Sequence, residues 1–205
     1  MMQRIFLFLI FSFAGHFLYA QQFQAGVKAG VSGTQISGDQ LAGFDKAGIV
    51  AGGYVGLELS RKFDLALEIL YFQKGSRKNA NPDKQDYVSY LLRLNYFEIP
   101  LVLQWKFSNR FTFEAGPTVA ALVGSREEDE FGTLSQPREF KKIEIGLLGG
   151  MKVKLVNQLA FNLRYQKSII PVREHLSGAN YRFNEGQYNE VLLFALQYTF
   201  SKNNE

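Results

Sequence analysis

The chain has 205 residues and a formal charge of +4, with 46% hydrophobic residues, 15% aromatic residues, 19 glycines and no cysteine. The lack of cysteine excludes disulfides and zinc–thiolate sites, and a mild positive charge without a long basic run does not indicate nucleic-acid binding. A cysteine-free composition rich in aromatic residues and glycine is typical of β-barrels.

The N-terminal residues have the pattern of a secretory signal peptide. Arg4 supplies a positive start, Ile5–Phe13 is an apolar run, and Ala20 offers a small residue at the cleavage site. The run is too short for a transmembrane helix, which needs about 20 apolar residues. We predict a cleaved signal peptide at 1–20, a barrel domain at 21–200 and a short polar tail at 201–205.

Eight segments alternate apolar and polar side chains with a period of two, which is typical of β-strands. In chain order they are about 23–32, 47–59, 63–74, 88–107, 111–124, 142–155, 159–168 and 190–200. Their connections alternate between long loops and short turns, and the turns are Ser60–Lys62, Ser108–Arg110 and Val156–Gln158. Short periplasmic turns and long external loops characterise outer-membrane barrels. We predict an all-β fold, an eight-stranded antiparallel up-and-down transmembrane β-barrel in the outer membrane.

Charges of both signs occupy one face of these strands in nearly equal number, and the other face carries almost none. A Lys or Arg side chain at mid-depth in lipid costs about 2–4 kcal/mol, so the charged face is expected to line the lumen. Glycines on the same face as the charges, such as Gly52 and Gly146, leave room for long side chains in a narrow barrel. The predicted lumen charge network consists of Lys28, Glu58, Glu68, Lys74, Glu98, Lys106, Glu114, Glu144, Lys152, Lys154 and Arg164.

Three features depart from regular strands. Pro100 and Pro117 fall within predicted strands, where proline removes a ladder hydrogen bond, and we expect a β-bulge at each. The alternation slips near Asn95–Phe97, which indicates either a bulge that resets the phase or a strand that has left the membrane.

Aromatic residues near the strand ends predict two girdles, an outer one of Tyr87, Tyr90, Tyr96 and Phe97 and an inner one of Trp105, Phe107, Phe111 and Phe200.

Several short motifs occur in a fixed order: Gly26–Gly30, Glu98-Ile99-Pro100-Leu101, Ala115-Gly116-Pro117, Gly146–Gly150 and Tyr198-Thr199-Phe200. In this order the chain resembles the small outer-membrane β-barrel family of Bacteroidota, often called PorT-like or porin-family barrel domains. It departs from them at Glu144-Ile145-Gly146, where relatives often have Asp-x-Gly, and in the residues after Phe200. The resemblance implies an integral outer-membrane protein and recognition of Phe200 by the barrel-insertion machinery, but no single function. The family's namesake looks like an accessory of a protein-secretion system.

Catalytic and metal-binding patterns are weak. His175 is the single histidine after the predicted signal peptide, and Ser168, Ser177 and Glu174 are the nearby partners for a serine-type triad. A plain surface histidine is the favoured interpretation. The acidic run at 126–130 lacks the glycine and the ligand spacing of a calcium loop. We predict no catalytic residue, no cofactor and no metal site.

The favoured hypothesis is a non-enzymatic scaffold that acts through its external loops or as an accessory of a membrane complex. The alternatives are a narrow porin-like channel for small solutes, an outer-membrane enzyme such as an acyltransferase or protease, and a soluble lipocalin-like binder. The expected partners are outer-membrane lipid or lipopolysaccharide, the barrel-insertion machinery and a membrane protein complex, with no nucleic acid. Arg77, Lys78 and Lys84 in the second long loop are candidates to contact lipopolysaccharide phosphates.

Overall fold

The computed structural model describes residues 23–39, 41, 43–134, 138–175 and 186–200; the predicted signal peptide, the polar tail and Ser177 lie outside them. A 3-10 helix at Pro82–Lys84 lies between β3 and β4. Among the described residues, no helix has the length and apolarity needed to span a membrane. The strands are β1 (Phe23–Ser37), β2 (Lys46–Glu58), β3 (Phe63–Lys78), β4 (Tyr90–Lys106), β5 (Phe111–Asp129), β6 (Gly132–Thr133), β7 (Ile143–Lys154), β8 (Leu159–Ser168), β9 (Arg173–Glu174) and β10 (Gly186–Thr199).

The long strands form one closed antiparallel ring in the order β1-β2-β3-β4-β5-β7-β8-β10. β10 returns to β1, with Gly26 opposite Thr199 and Ser37 opposite Tyr188, so that no strand of the ring is left as an open edge. The two short strands belong to loops, since β6 pairs with β5 and β9 pairs with β10. The prediction of an eight-stranded antiparallel up-and-down barrel is confirmed.

The short turns at 59–62, 107–110 and 155–158 lie at one end of the ring, which is the periplasmic end in such barrels. Two of them are held by serine side chains, because Ser60 Oγ accepts the backbone N–H of Phe63 at 3.1 Å and Ser108 Oγ accepts that of Phe111 at 3.0 Å. At the other end β1, β3 and β5 run four to five residues beyond the predicted ends at 32, 74 and 124.

Outward-facing apolar side chains of the strands, such as Ile69, Ile99, Leu101 and Leu147, form an apolar band around the barrel, and aromatic rings lie near both of its ends. At the periplasmic end Trp105 lies 5.7 Å from Phe107 and 5.8 Å from Phe113 between ring centroids. At the other end Phe97 contacts Tyr71 edge to face at 5.9 Å. Tyr96 and Tyr90 were wrongly predicted in the outer girdle. Tyr96 is fully buried in the lumen and Tyr90 packs against buried apolar residues there, because both lie on the same inward face of β4 as Glu98.

Neither strand proline produces the expected bulge. Pro100 lies opposite Thr118 and Leu103 lies opposite Ala115, so β4 and β5 keep one register across this stretch, with a local gap in the ladder. The register shift between β4 and β5 falls instead at Asn95 and Tyr96. The extra residue there belongs to β5, and the inward and outward alternation of β4 itself is unbroken.

An apolar core fills the upper part of the lumen. Leu92 and Leu94 on β4 are fully buried, as is Leu193 on β10, while Arg93 between the two leucines is exposed on the outer wall. This arrangement, apolar inside and polar outside, is that of a barrel in water rather than in lipid. This reversal explains why the apolar–polar alternation of the sequence breaks near Asn95: β4 continues beyond the apolar band, and its inward face becomes apolar there. The buried members are Ile36, Val50, Leu70, Phe72, Leu92, Leu94, Tyr96, Ala120, Phe140, Val172, Val191, Leu193 and Ala195.

The lumen as candidate functional site

The central part of the lumen is crossed by one ion-paired cluster. Arg164 on β8 is fully buried, and its Nη1 and Nη2 donate to the two carboxylate oxygens of Glu68 at 2.8 and 2.7 Å. Its Nε donates to Glu114 Oε2 at 2.8 Å, and Asn162 Nδ2 donates to the same oxygen at 2.9 Å. Lys28 on β1 completes the cluster, because its Nζ donates to Glu68 Oε1 at 2.6 Å. Four strands are therefore joined across the barrel.

A second buried cluster lies above the first. Lys74 Nζ donates to Glu98 Oε2 at 2.6 Å and to Glu144 Oε1 at 2.7 Å. The same ammonium lies 5.2 Å from the ring centroid of Tyr96, within the range of a cation–π contact. Asn189 Nδ2 donates to Glu144 Oε2 at 2.6 Å. This cluster connects the charged interior to the apolar core around it.

The two clusters are electrically balanced only when taken together, because the Arg164 cluster has one more base than acids and the Lys74 cluster has one more acid than bases. Charges taken out of water are tolerated when they are paired and hydrogen-bonded, and an unpaired one is strongly destabilising. Lys152 supplies the fourth base, because its Nζ donates to Gln104 Oε1 at 2.7 Å and lies 3.9 Å from Glu114 Oε1. The four bases Lys28, Lys74, Lys152 and Arg164 face the four acids Glu68, Glu98, Glu114 and Glu144.

The remaining residues of the predicted network lie at the periplasmic mouth. Lys106 Nζ lies 2.8 Å from Asp64 Oδ1 and 3.6 Å from Glu58 Oε1, and all three side chains are partly exposed. Lys154 is exposed at the end of β7, with no acid within ion-pair distance in the described part of the chain. Sequence reasoning missed Asp64, although its parity on β3 matches that of Glu68.

The extracellular mouth is covered by a third group of polar contacts that strand parity did not predict. Arg173 on β9 donates from Nη1 to Glu127 Oε2 at 3.0 Å and from Nε to Gln187 Oε1 at 2.8 Å. Its guanidinium lies 4.1 Å from the ring centroid of Phe140. Val172 is buried in the apolar core, so this part of the last loop packs into the barrel. Arg173 and Phe140 fell in predicted loops, where period two gives no signal.

The residues considered for catalysis occupy different surroundings. Ser168 is buried in the lumen, where its hydroxyl accepts the backbone N–H of Asn189 at 3.0 Å. His175 follows β9 in the last loop, and its backbone carbonyl accepts from Arg138 Nη2 at 3.2 Å. Within the described ranges, no group of three or more His, Asp or Glu side chains is arranged to hold a metal ion.

The external loop between β3 and β4 has its own ion pair. Lys78 Nζ lies 2.9 Å from Asp86 Oδ2, and its hydrogen bond to Oδ1 at 3.2 Å holds the pKa of the Asp86 carboxyl below its ordinary value. Arg77, which precedes Lys78, is exposed on the outer wall. Of the candidates for phosphate contact, Lys78 is therefore already engaged within its own loop.

Comparison with solved structures shows which known barrels share this geometry. The crystal structure of Ail, the attachment invasion locus protein of Yersinia pestis, in complex with the heparin analogue sucrose octasulfate, aligns with 87% of this chain and 99% of its own, with a TM-score of 0.52 and 9% identity. That of Neisserial surface protein A aligns with 88% of this chain and 99% of its own, with a TM-score of 0.50 and 10% identity. These similarities establish the fold alone, and a comparison with curated proteins gives no match.

A family profile adds the decisive observation. The profile described as "Outer membrane protein beta-barrel domain" matches residues 19–174, which is most of the chain. The match covers β1 to β9, and therefore every strand of the ring except β10. The chain belongs to this family and is an outer-membrane β-barrel protein.

Proposed function

We propose that this protein is a structural scaffold of the outer membrane that lacks catalytic activity and acts through its external loops or as an accessory of a membrane complex. The observation that carries the proposal is the filling of the lumen by the Arg164 and Lys74 clusters. In a barrel of eight strands the interior is just wide enough for side chains, so this filling closes the lumen to passage and leaves the external loops as the part that partners outside the cell can reach.

The external ends of the strands support this role. β4 and β5 remain paired as far as Tyr90 opposite Asp129, well beyond the Phe97 position on β4. β5 then turns into β6, and Phe131 at this hairpin tip is 91% exposed. Aromatic residues, including phenylalanine, are enriched at protein–protein interfaces. We propose Phe131 as a contact residue for the partner.

The test is a crosslinked pull-down from native outer membranes in mild detergent. We expect a stoichiometric partner that is lost with Phe131→Ser, because the substitution removes the exposed ring without changing a buried contact. Tyr87→Ser, which removes another exposed aromatic residue in the neighbouring loop, is the matched control and should retain the partner. Recovery of the protein without any partner, or equal loss with both variants, would argue against the scaffold role.

We further propose that lipopolysaccharide phosphates contact the outer wall above the apolar band. Arg93 on β4 lies opposite Arg126 on β5, and both are exposed. Arg126 forms an ion pair with Glu128, whereas Arg93 has no acid at ion-pair distance among the described residues. Like charges directly opposite on a sheet repel, and a bound anion would relieve the repulsion. Arg93→Gln should lower the amount of lipopolysaccharide that copurifies, and an unchanged amount would contradict the contact.

We also propose three further properties of this protein. It is a PorT-like barrel of Bacteroidota, its signal peptide is cleaved near residue 20, and the barrel-insertion machinery recognises the closing aromatic residue Phe200. Phe200 supports the last point because its ring centroid lies 6.0 Å from that of Tyr198 and its backbone N–H donates to Ala25 O at 2.8 Å. Phe200→Ser should lower the assembled fraction in the outer membrane. N-terminal sequencing of the mature protein tests the cleavage site.

A further inference from the structure

The periplasmic end of the barrel is an open cup with a volume of about 700 Å³. This volume lies in the usual range of ligand-binding cavities. Its wall is formed by strand ends and by the short turns, including Arg61, Asn109 and Asn157, and its inner part by Lys152 and Gln197. The buried charge clusters lie above it, so a ligand of this cup enters from the periplasm.

The cup has a strong excess of positive charge. Its lining includes one acid, Asp64, against five bases, which are Arg61, Lys62, Lys106, Lys152 and Lys154. Lys106 is neutralised by Asp64 at 2.8 Å, and Lys152 is held by Gln104 at 2.7 Å. Within the described chain, Arg61, Lys62 and Lys154 have no acid at ion-pair distance. Three cations therefore remain available, two on the turn between β2 and β3 and one at the end of β7.

A buried amide adds a second, independent feature. Gln197 on β10 is 3% exposed and lines the cup, and among the residues that the structure describes its Oε1 has no hydrogen-bond partner. Leaving a buried polar atom unpaired is costly, so a partner for it is expected. Gln24 and Gln158 place further amide groups around the same cavity. Amide side chains pair with both the N–H and the carbonyl of a peptide backbone.

We propose that this cup binds a carboxylate-rich peptide segment of a periplasmic partner. The free cations lie at two separate places on the rim, the β2–β3 turn and the end of β7, which suits several carboxylates along a chain better than one compact phosphate. The backbone of such a segment would supply the donor that Gln197 Oε1 lacks. The exposed rim cations would also speed encounter with an acidic partner. The site lies at the opposite end of the barrel from the external loops and does not depend on the scaffold proposal.

The experiment uses the full protein in nanodiscs, which expose both ends of the barrel. A fluorescently labelled hexaglutamate peptide is titrated at low ionic strength, and binding is followed by anisotropy. We expect saturable binding that weakens as salt is added. The double variant Lys62→Gln/Lys154→Gln should weaken binding about three- to tenfold, because each exposed pair contributes modestly.

Two further variants separate a built site from general attraction to a basic protein. Lys84→Gln/Lys141→Gln removes the same charge from the external loops and should leave the affinity unchanged. Gln197→Leu changes no charge and should weaken binding, because it removes the amide partner of the peptide. The proposal would be overturned by absent binding, by equal weakening with the external variant, or by tripolyphosphate competing as well as unlabelled hexaglutamate.

Discussion

Arg164 is the residue on which the interior of the barrel depends most directly. Its planar guanidinium has five donors in a fixed arrangement, so it binds Glu68 and Glu114 on two strands at once, which a lysine ammonium does less well. Gly150 on the neighbouring strand makes this possible. A Cβ at Gly150 would lie 2.3 Å from Leu163 O and 2.8 Å from Arg164 Cγ, so the close approach of β7 and β8 requires glycine there.

We predict that Arg164→Met lowers the free energy of unfolding by about 3–5 kcal/mol, because the buried carboxylates Glu68 and Glu114 lose the cation they share and keep only Lys28 at 2.6 Å and Lys152 at 3.9 Å. Lys106→Met is the matched control. Its ion pair is about one-third exposed on the lysine, so the expected loss is only about 0–1 kcal/mol. Unfolding in urea, followed by the heat-modifiable shift on gels, measures both values. Equal losses of unfolding free energy in the two variants would show that burial does not determine how much an ion pair of this network contributes to stability.

At the scale of one element, β4 passes through two environments without changing its parity. In its lower half the outward residues are apolar, such as Leu101 and Leu103, and the inward residue Glu98 is charged. In its upper half the inward residue Leu94 is apolar, and the outward residue Arg93 is charged. The two faces therefore exchange their chemistry along the strand, because lipid surrounds only the lower part.

This exchange predicts that substitution by arginine on the outward face of β4 costs much more stability in its lower half than in its upper half. Leu101 lies midway between Phe97 and Trp105, at mid-depth, so Leu101→Arg should lower the free energy of unfolding by about 2–4 kcal/mol. Asn95→Arg, six residues away and also outward, should cost less than about 1 kcal/mol, because the position lies above the apolar band. Folding titrations in lipid vesicles provide the measurement. Similar costs at the two positions would mean that the lipid extends to Asn95.

At the scale of the whole molecule, three successive obstacles block passage through the lumen. From the periplasm these are the Arg164 cluster, the Lys74 cluster with the apolar core around it, and the contacts of Arg173 with Glu127 and Phe140. The cup below them remains open. The molecule is therefore closed towards the outside and accessible from the periplasm.

We predict that the protein shows no stepwise conductance in planar bilayers. The double variant Glu68→Ser/Arg164→Ser should also be silent, since it removes one opposed pair while the apolar core and the Arg173 contacts remain. Discrete conductance steps of the unmodified protein would favour the narrow porin-like alternative. Steps in the double variant alone would show that the central cluster is the sole barrier.

The sequence by itself determined the eight long strands of the ring, the alternation of short and long connections and the face on which the charges of the membrane-spanning part lie. These features follow from the period of two within a single strand and from the cost of charge in lipid, both of which are local. The position of Glu68, Glu114 and Arg164 on one face was predictable in this way. So was the aromatic band near Trp105.

Only the tertiary structure decided which charges meet, because strand register is a property of the closed ring. Arg164 and Glu68 are 96 residues apart and lie on strands that are not neighbours, so parity alone does not pair them. The same reason applies to the extra residue on β5, to the prolines that keep their register, and to Arg173 in a loop. The apolar upper core also required the ring, since its members become an interior only when the strands enclose them.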